Sequence, residues 1–206
     1  MPEHHPVAAP VAGFYGKLPS RGDFLRGALP RGFTDKWDAF LSAGMTASRA
    51  ELGDLWLPSW MEAPIWFFAL ADDVCGPSAC AGLFLPSVDR AGRHFPLTIA
   101  LLYPGAAPDA LAKAAAPWLA AAEQAGLDAL EFTQEPEILA ERLTAAPPPS
   151  PGVPQGNGGA LFWTAGSPFV APASWRQQGL PDPAGFARML RDRGADPSAA
   201  DMMAAS

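Results

Sequence analysis

The chain has 206 residues, 49% hydrophobic and 17% charged, with a formal net charge of −7. That composition is too apolar for a disordered chain, and a chain of this length can bury roughly 70% of the surface its unfolded form exposes, which removes the need for disulfide or metal staples. The negative charge argues against duplex nucleic acid or anionic lipid as a partner, because Lys and Arg must displace the counterions there.

Residues 1–10 read as a Pro/His/Ala tail. Gly13 to Pro19 form a short strand that runs into a turn at Ser20-Arg21-Gly22-Asp23. A helix is predicted over 34–52, with Thr34 as N-cap and Trp37, Phe40, Leu41 and Met45 on one buried stripe. Residues 56–61 suggest a turn with a short helix. The segments 64–70, 79–85 and 95–103 are continuously apolar, which is the pattern of strands covered on both faces. Helix is predicted over 110–130, with Pro117 kinking it or starting a new one, and again from Pro136 to Ala145. Five prolines and four glycines fill 145–159, so an exposed loop is expected there. Two short strands at 160–163 and 169–170 precede a last helix opened by Asp182-Pro183. A single domain is thus expected over 11–195, with a tail at 196–206.

The N-terminus lacks the basic and apolar regions of a secretory leader, and no apolar run reaches the length of a membrane span. Cys75 and Cys80 have no further cysteine pair or histidine at ligand spacing. They are expected as buried thiols in a reducing, cytoplasmic compartment, with no metal site.

Standard catalytic signatures do not occur. Gly13-Phe14-Tyr15-Gly16-Lys17 has two residues between its glycines where a phosphate loop needs four, and Leu18 follows the lysine. Ser87, Asp89 and His94 sit in one loop, an arrangement that seldom reaches triad geometry. Two polar islands do stand out: Lys17-x-x-x-Arg21-Gly22-Asp23, and Ser87-Val88-Asp89-Arg90-Ala91-Gly92-Arg93-His94. Planar guanidinium groups suit carboxylate or phosphate contacts, so the islands read as a recognition surface or anion site. The other reading is that Arg21, Asp23, Asp89 and Arg93 pair with one another and brace two loops. Of seven tryptophans, Trp37 and Trp66 have core patterns, while Trp56, Trp60, Trp163 and Trp175 suit either core or a partner surface.

These islands carry a resemblance. Residues 13–24 (GFYGKLPSRGDF), 86–97 (PSVDRAGRHFPL) and 162–168 (FWTAGSP), with Gly179-Leu180-Pro181 after the last, resemble the signatures of the TagF family, also called ImpM or SciT-like, of type VI secretion accessory proteins. The resemblance implies a single-domain α/β fold: a three-layer sandwich whose mixed sheet is covered by helices on both faces. It implies a non-catalytic, cytoplasmic, post-translational repressor of secretion-system assembly, with no cofactor, that binds a forkhead-associated scaffold protein of the apparatus. Some relatives carry a fused phosphatase domain; 206 residues leave no room for one, so phosphatase activity is not expected. Candidate partner-binding residues are Arg21, Asp23, Asp89, Arg90, Arg93 and Trp163. The alternative function is an anion- or small-ligand enzyme built on Arg21, Arg93 and His94.

Overall fold

A computed structural model describes residues 9–131, 133–156 and 158–192. The expected tail at 196–206 lies outside the described residues, as does most of the one at 1–10, including His4 and His5. The chain order is β1 (Val11–Gly16), β2 (Leu25–Arg26), α1 (Arg31–Leu52), α2 (Trp56–Met61), β3 (Trp66–Leu70), β4 (Ala79–Leu85) and β5 (Leu97–Tyr103). There follow α3 (Pro108–Ala114), α4 (Ala116–Glu131), α5 (Pro136–Ala145), β6 (Ala160–Thr164), β7 (Ala173–Gln177) and α6 (Pro183–Leu190).

The strands form one sheet in the order β2-β1-β5-β4-β3-β6-β7. Every residue of β4 and β5 is buried. One face packs against α1, α2 and α6 around Trp37, Phe68, Phe84, Phe162 and Phe186. The other packs against α3, α4 and α5 around Leu83, Ile99, Leu101, Trp118 and Leu139. This is the expected single-domain α/β sandwich of three layers. The sheet is antiparallel throughout, however, rather than mixed. The reason lies in the connections. Parallel neighbours need a crossover that returns beside the strand it left. Here the α1–α2 crossover from β2 lands four positions away at β3, and the α3–α5 crossover from β5 lands three away at β6.

Local departures follow from packing. Helix α1 starts at Arg31 with Pro30 at its N-cap, three residues before the expected start. Phe33 stacks on Trp37 at 5.6 Å, which draws the turn upstream of Thr34 into the helix. Thr34 therefore caps nothing, and its buried hydroxyl has no partner. Pro117 does begin a new helix, and Asp182 does cap α6, its carboxylate accepting from Gly185 N at 2.6 Å. The 145–159 segment is not simply exposed: Ala146, Pro149 and Val153 are buried. Tyr103, at the end of β5, ties it down, donating to the Ser150 carbonyl at 2.8 Å and accepting from Val153 N at 3.2 Å. Residues 169–170 form only a bridge with Ser167. The last strand is β7, an edge strand with Ser174 and Arg176 turned outward.

Candidate functional site

Antiparallel pairing makes β1, β4 and β6 run the same way, so the turns after them leave the sheet at one end. Those turns hold the three sequence signatures. The first two, after β1 and β4, are joined by a buried ion pair. The Asp89 side chain is fully buried and accepts from Lys17 Nζ at 2.6 Å; Lys17 is itself almost wholly buried. Asp89 also accepts from Arg93 Nε at 2.7 Å and from the backbone N–H groups of Ala91 and Arg93 at 2.9 Å each. Burial alone would raise the Asp89 pKa, but the bonds from Lys17, Arg93 and Ala91 outweigh it and hold the carboxyl well below the usual carboxylate range.

Further bonds bind the two hairpins together. Ser87 Oγ donates to the Lys17 carbonyl at 2.7 Å, Arg90 N donates to the Arg21 carbonyl at 2.9 Å, and Arg93 Nη2 donates to the Gly22 carbonyl. Gly16 permits this contact: its φ is +131°, and a Cβ there would stand 2.0 Å from the Pro96 carbonyl oxygen. Phe24, half exposed, lies over the pair, its ring 4.9 Å from Lys17 Nζ and 4.8 Å from Phe95.

The structure therefore sorts the candidate residues into two kinds. Asp89 is an internal brace that no partner reaches, and Arg93 shares that task with a side chain 62% exposed. Arg21, Asp23 and Arg90 face outward around a cleft of about 590 Å³ floored by Phe14, Leu25 and Pro136. Arg21 pairs with Glu135 at 2.8 Å and approaches Glu137 at 3.7 Å, an exposed contact of small energetic effect. Of the pairings the bracing reading allows, the structure has Asp89–Arg93, while Arg21 pairs with Glu135 and Asp23 joins neither arginine; the brace is Lys17–Asp89–Arg93. Trp163 is not part of the cluster. It lies across β3 from β4, half-buried on the α3–α5 face, stacked on Phe67 at 5.5 Å. Lys17 opens the first polar island and Phe24 closes the first signature, but neither is among the candidate partner-binding residues; a lysine at the end of an otherwise apolar strand is a readable signal for a buried counter-ion.

Ser87, Asp89 and His94 do not form a relay. Ser87 and Asp89 are committed to Lys17 and Arg93 as described. His94 presents its ring edge-on to Trp56 at 5.6 Å and Trp60 at 6.2 Å. Burial and the nearby Arg49 cation lower its pKa, which favours the neutral ring. Among the described residues no group of three or more His, Cys, Asp or Glu is placed to hold a metal ion, and no helix is long and apolar enough to cross a membrane.

Comparison with known proteins agrees with the first two signatures. A family model described as the TagF N-terminal domain, type VI secretion system-associated, matches residues 13–146, a span that contains both braced hairpins. The crystal structure of PA0076 from Pseudomonas aeruginosa PAO1 superposes with a TM-score of 0.81 at 34% identity, covering 89% of this chain and 96% of that one. No curated protein matches.

Proposed function

The chain belongs to the TagF N-terminal domain family of type VI secretion system-associated proteins, and on that premise we propose that it is a non-catalytic, cytoplasmic repressor of secretion-system assembly. It acts after translation by binding a forkhead-associated scaffold protein of the apparatus. The observation that carries this reading is the division of labour at the signature end of the sheet. Lys17, Asp89 and Arg93 fix two hairpins to each other, and the fixed hairpins present Arg21, Asp23 and Arg90 on an open rim. Rigid presentation of a few charged anchors is what a binding surface needs, since it lowers the ordering cost of association. Of the side chains that catalysis would draw on, Ser87, Asp89 and Arg93 are committed to the brace, and His94 packs edge-on against Trp56 and Trp60.

The partner-binding residues are Arg21, Asp23, Arg90 and the exposed part of Arg93, with Asp89 acting through the hairpin it holds and Trp163 as a second, separate contact. Titrating the purified scaffold protein against the wild type and Arg90→Glu is the direct test. Binding that weakens at least about tenfold in the variant, with unchanged thermal stability, supports the reading. Wild-type levels of binding in both Arg90→Glu and Arg21→Glu overturn the assigned surface. In cells, deletion should raise secretion; a fall would mark an architectural subunit instead.

A further inference from the structure

A second cleft lies at the other edge of the sheet, on the face covered by α1 and α6, and has a cavity volume of about 530 Å³. That is the size range of sites for small organic ligands. Its floor is the inner face of β7, where Ala173, Trp175 and Gln177 alternate inward. Helix α6 forms one wall, and Leu180 and Pro181 form another. Among the described residues no strand lies beyond β7.

Two indoles shape the interior. Trp66 is fixed from behind, its Nε1 donating to the Met189 carbonyl at 2.9 Å. Trp175 meets it at 4.6 Å between ring centroids and an interplanar angle of 57°, so the pair forms a wedge rather than a flat stack. Trp66 is 1% exposed and backs the cleft, so Trp175 is the indole that offers its ring to a third aromatic group. Trp175 remains only half-buried.

The charge on the walls selects further. Among the described residues Arg188 is the cation lining the cleft. It is exposed, and its Nη2 stands 3.7 Å from where a Cβ on the cleft-lining Gly185 would be, so its guanidinium lies along the cleft wall. Among the described residues its side chain has no ion pair or hydrogen bond. The anionic groups on the walls are Asp182, engaged in capping α6, and Asp192. The guanidinium can take a carboxylate in a charge-assisted pair, while the two acidic side chains on the walls oppose a doubly charged phosphate ester more than a singly charged carboxylate.

We propose that this cleft binds a small aromatic monocarboxylate, its ring against Trp175, which Trp66 backs, and its carboxylate on Arg188. The site is distinct from the signature cleft, which lies across the sheet beside β1 and β2, so its failure would leave the scaffold-binding reading untouched.

The test is isothermal titration of the purified full chain with indole-3-acetate, its neutral analogue 3-methylindole, and phenyl phosphate. The expected result is one-to-one binding of indole-3-acetate, at least about tenfold tighter than either of the others. Arg188→Gln should erase the advantage of the carboxylate over 3-methylindole. Trp175→Ala should abolish binding of both, and Trp175→Phe should restore part of it, with circular dichroism melting confirming that each variant is folded. No measurable binding of indole-3-acetate overturns the proposal. So does equal affinity for the acid and its neutral analogue, or an Arg188→Gln variant that still prefers the acid.

Discussion

Two glycines in helix interiors give opposite outcomes for the same substitution. In both α1 and α4, replacing glycine by alanine removes backbone freedom from the unfolded chain and is worth about 1 kcal/mol of helix stability. At Gly44 a new Cβ would stand 2.3 Å from Phe186 Cγ and 2.7 Å from its Cβ, far inside the ordinary carbon–carbon contact. Phe186 is fully buried, with its ring against Phe40 at 5.6 Å and Phe84 at 6.3 Å, so it has no direction in which to retreat. Forced overpacking costs about 1–3 kcal/mol, and so close an approach to a fixed ring belongs to the upper part of that range, about 2–3 kcal/mol, which outweighs the helical gain. Gly44→Ala should therefore lose about 1–2 kcal/mol net and lower Tm by about 3–6 °C. At Gly126 the nearest atom is the Cδ1 end of Ile99 at 2.9 Å, followed by Leu85 Cδ2 at 3.6 Å. A chain end of that sort rotates away, so Gly126→Ala should fall between no change and a gain of about 1 kcal/mol. Urea unfolding followed by tryptophan fluorescence measures both, provided the m-values match the wild type. A Gly44→Ala variant as stable as the wild type would refute the claim that α1 and α6 are locked at backbone distance. So would parallel losses in the two variants.

Three further outcomes are expected. Thr34→Val exchanges a buried hydroxyl without a partner for a methyl group of the same shape, and should raise stability by about 1 kcal/mol, or Tm by about 3 °C. Asp89 has a folded-state pKa below its unfolded value, so its contribution is present above the ordinary carboxylate range near 4 and fades as pH falls below it. Asp89→Asn should consequently be less stable at pH 7 and show a shallower loss between pH 5 and pH 2 than the wild type, in urea midpoints measured across that range. Burial pushes the Cys75 thiol up to about 12 and Cys80 well above its usual value, leaving neither thiolate nor access at pH 8. An aromatic disulfide reagent should label neither cysteine in the native protein and both in urea; rapid native labelling would contradict the burial.

Much of the layer architecture was legible because it is written in local pattern. Residues 79–85 lack alternation and form a strand buried on both faces; Pro136 opens its helix as a proline at the first helical position should. Strand β7 escaped notice because its inward and outward residues alternate in size and polarity like many loops, and only its pairing with β6 makes it a strand. The start of α1 was misplaced because Thr34 has the chemistry of a cap, while the stacking of Phe33 on Trp37 required one more turn. The loop at 145–159 read as solvent-facing from its prolines and glycines. The hydroxyl that holds it belongs to Tyr103, some fifty residues earlier, and no local pattern reports such a contact.

The sequence by itself determined the covered sheet, the helices that cover it and, through three long irregular motifs, the family. It did not determine which charged residue of a motif is buried. Asp89 and Arg90 are neighbours in one hairpin, yet one side chain is sealed inside and the other stands in solvent. A carboxylate can be buried only where a counter-ion and enough N–H donors meet it. Here the counter-ion is Lys17, 72 residues away, brought to Asp89 because β1 and β4 both flank β5 and end on the same side. Strand order, a property of the whole fold, thus decided which residues brace the surface and which are left free to form it.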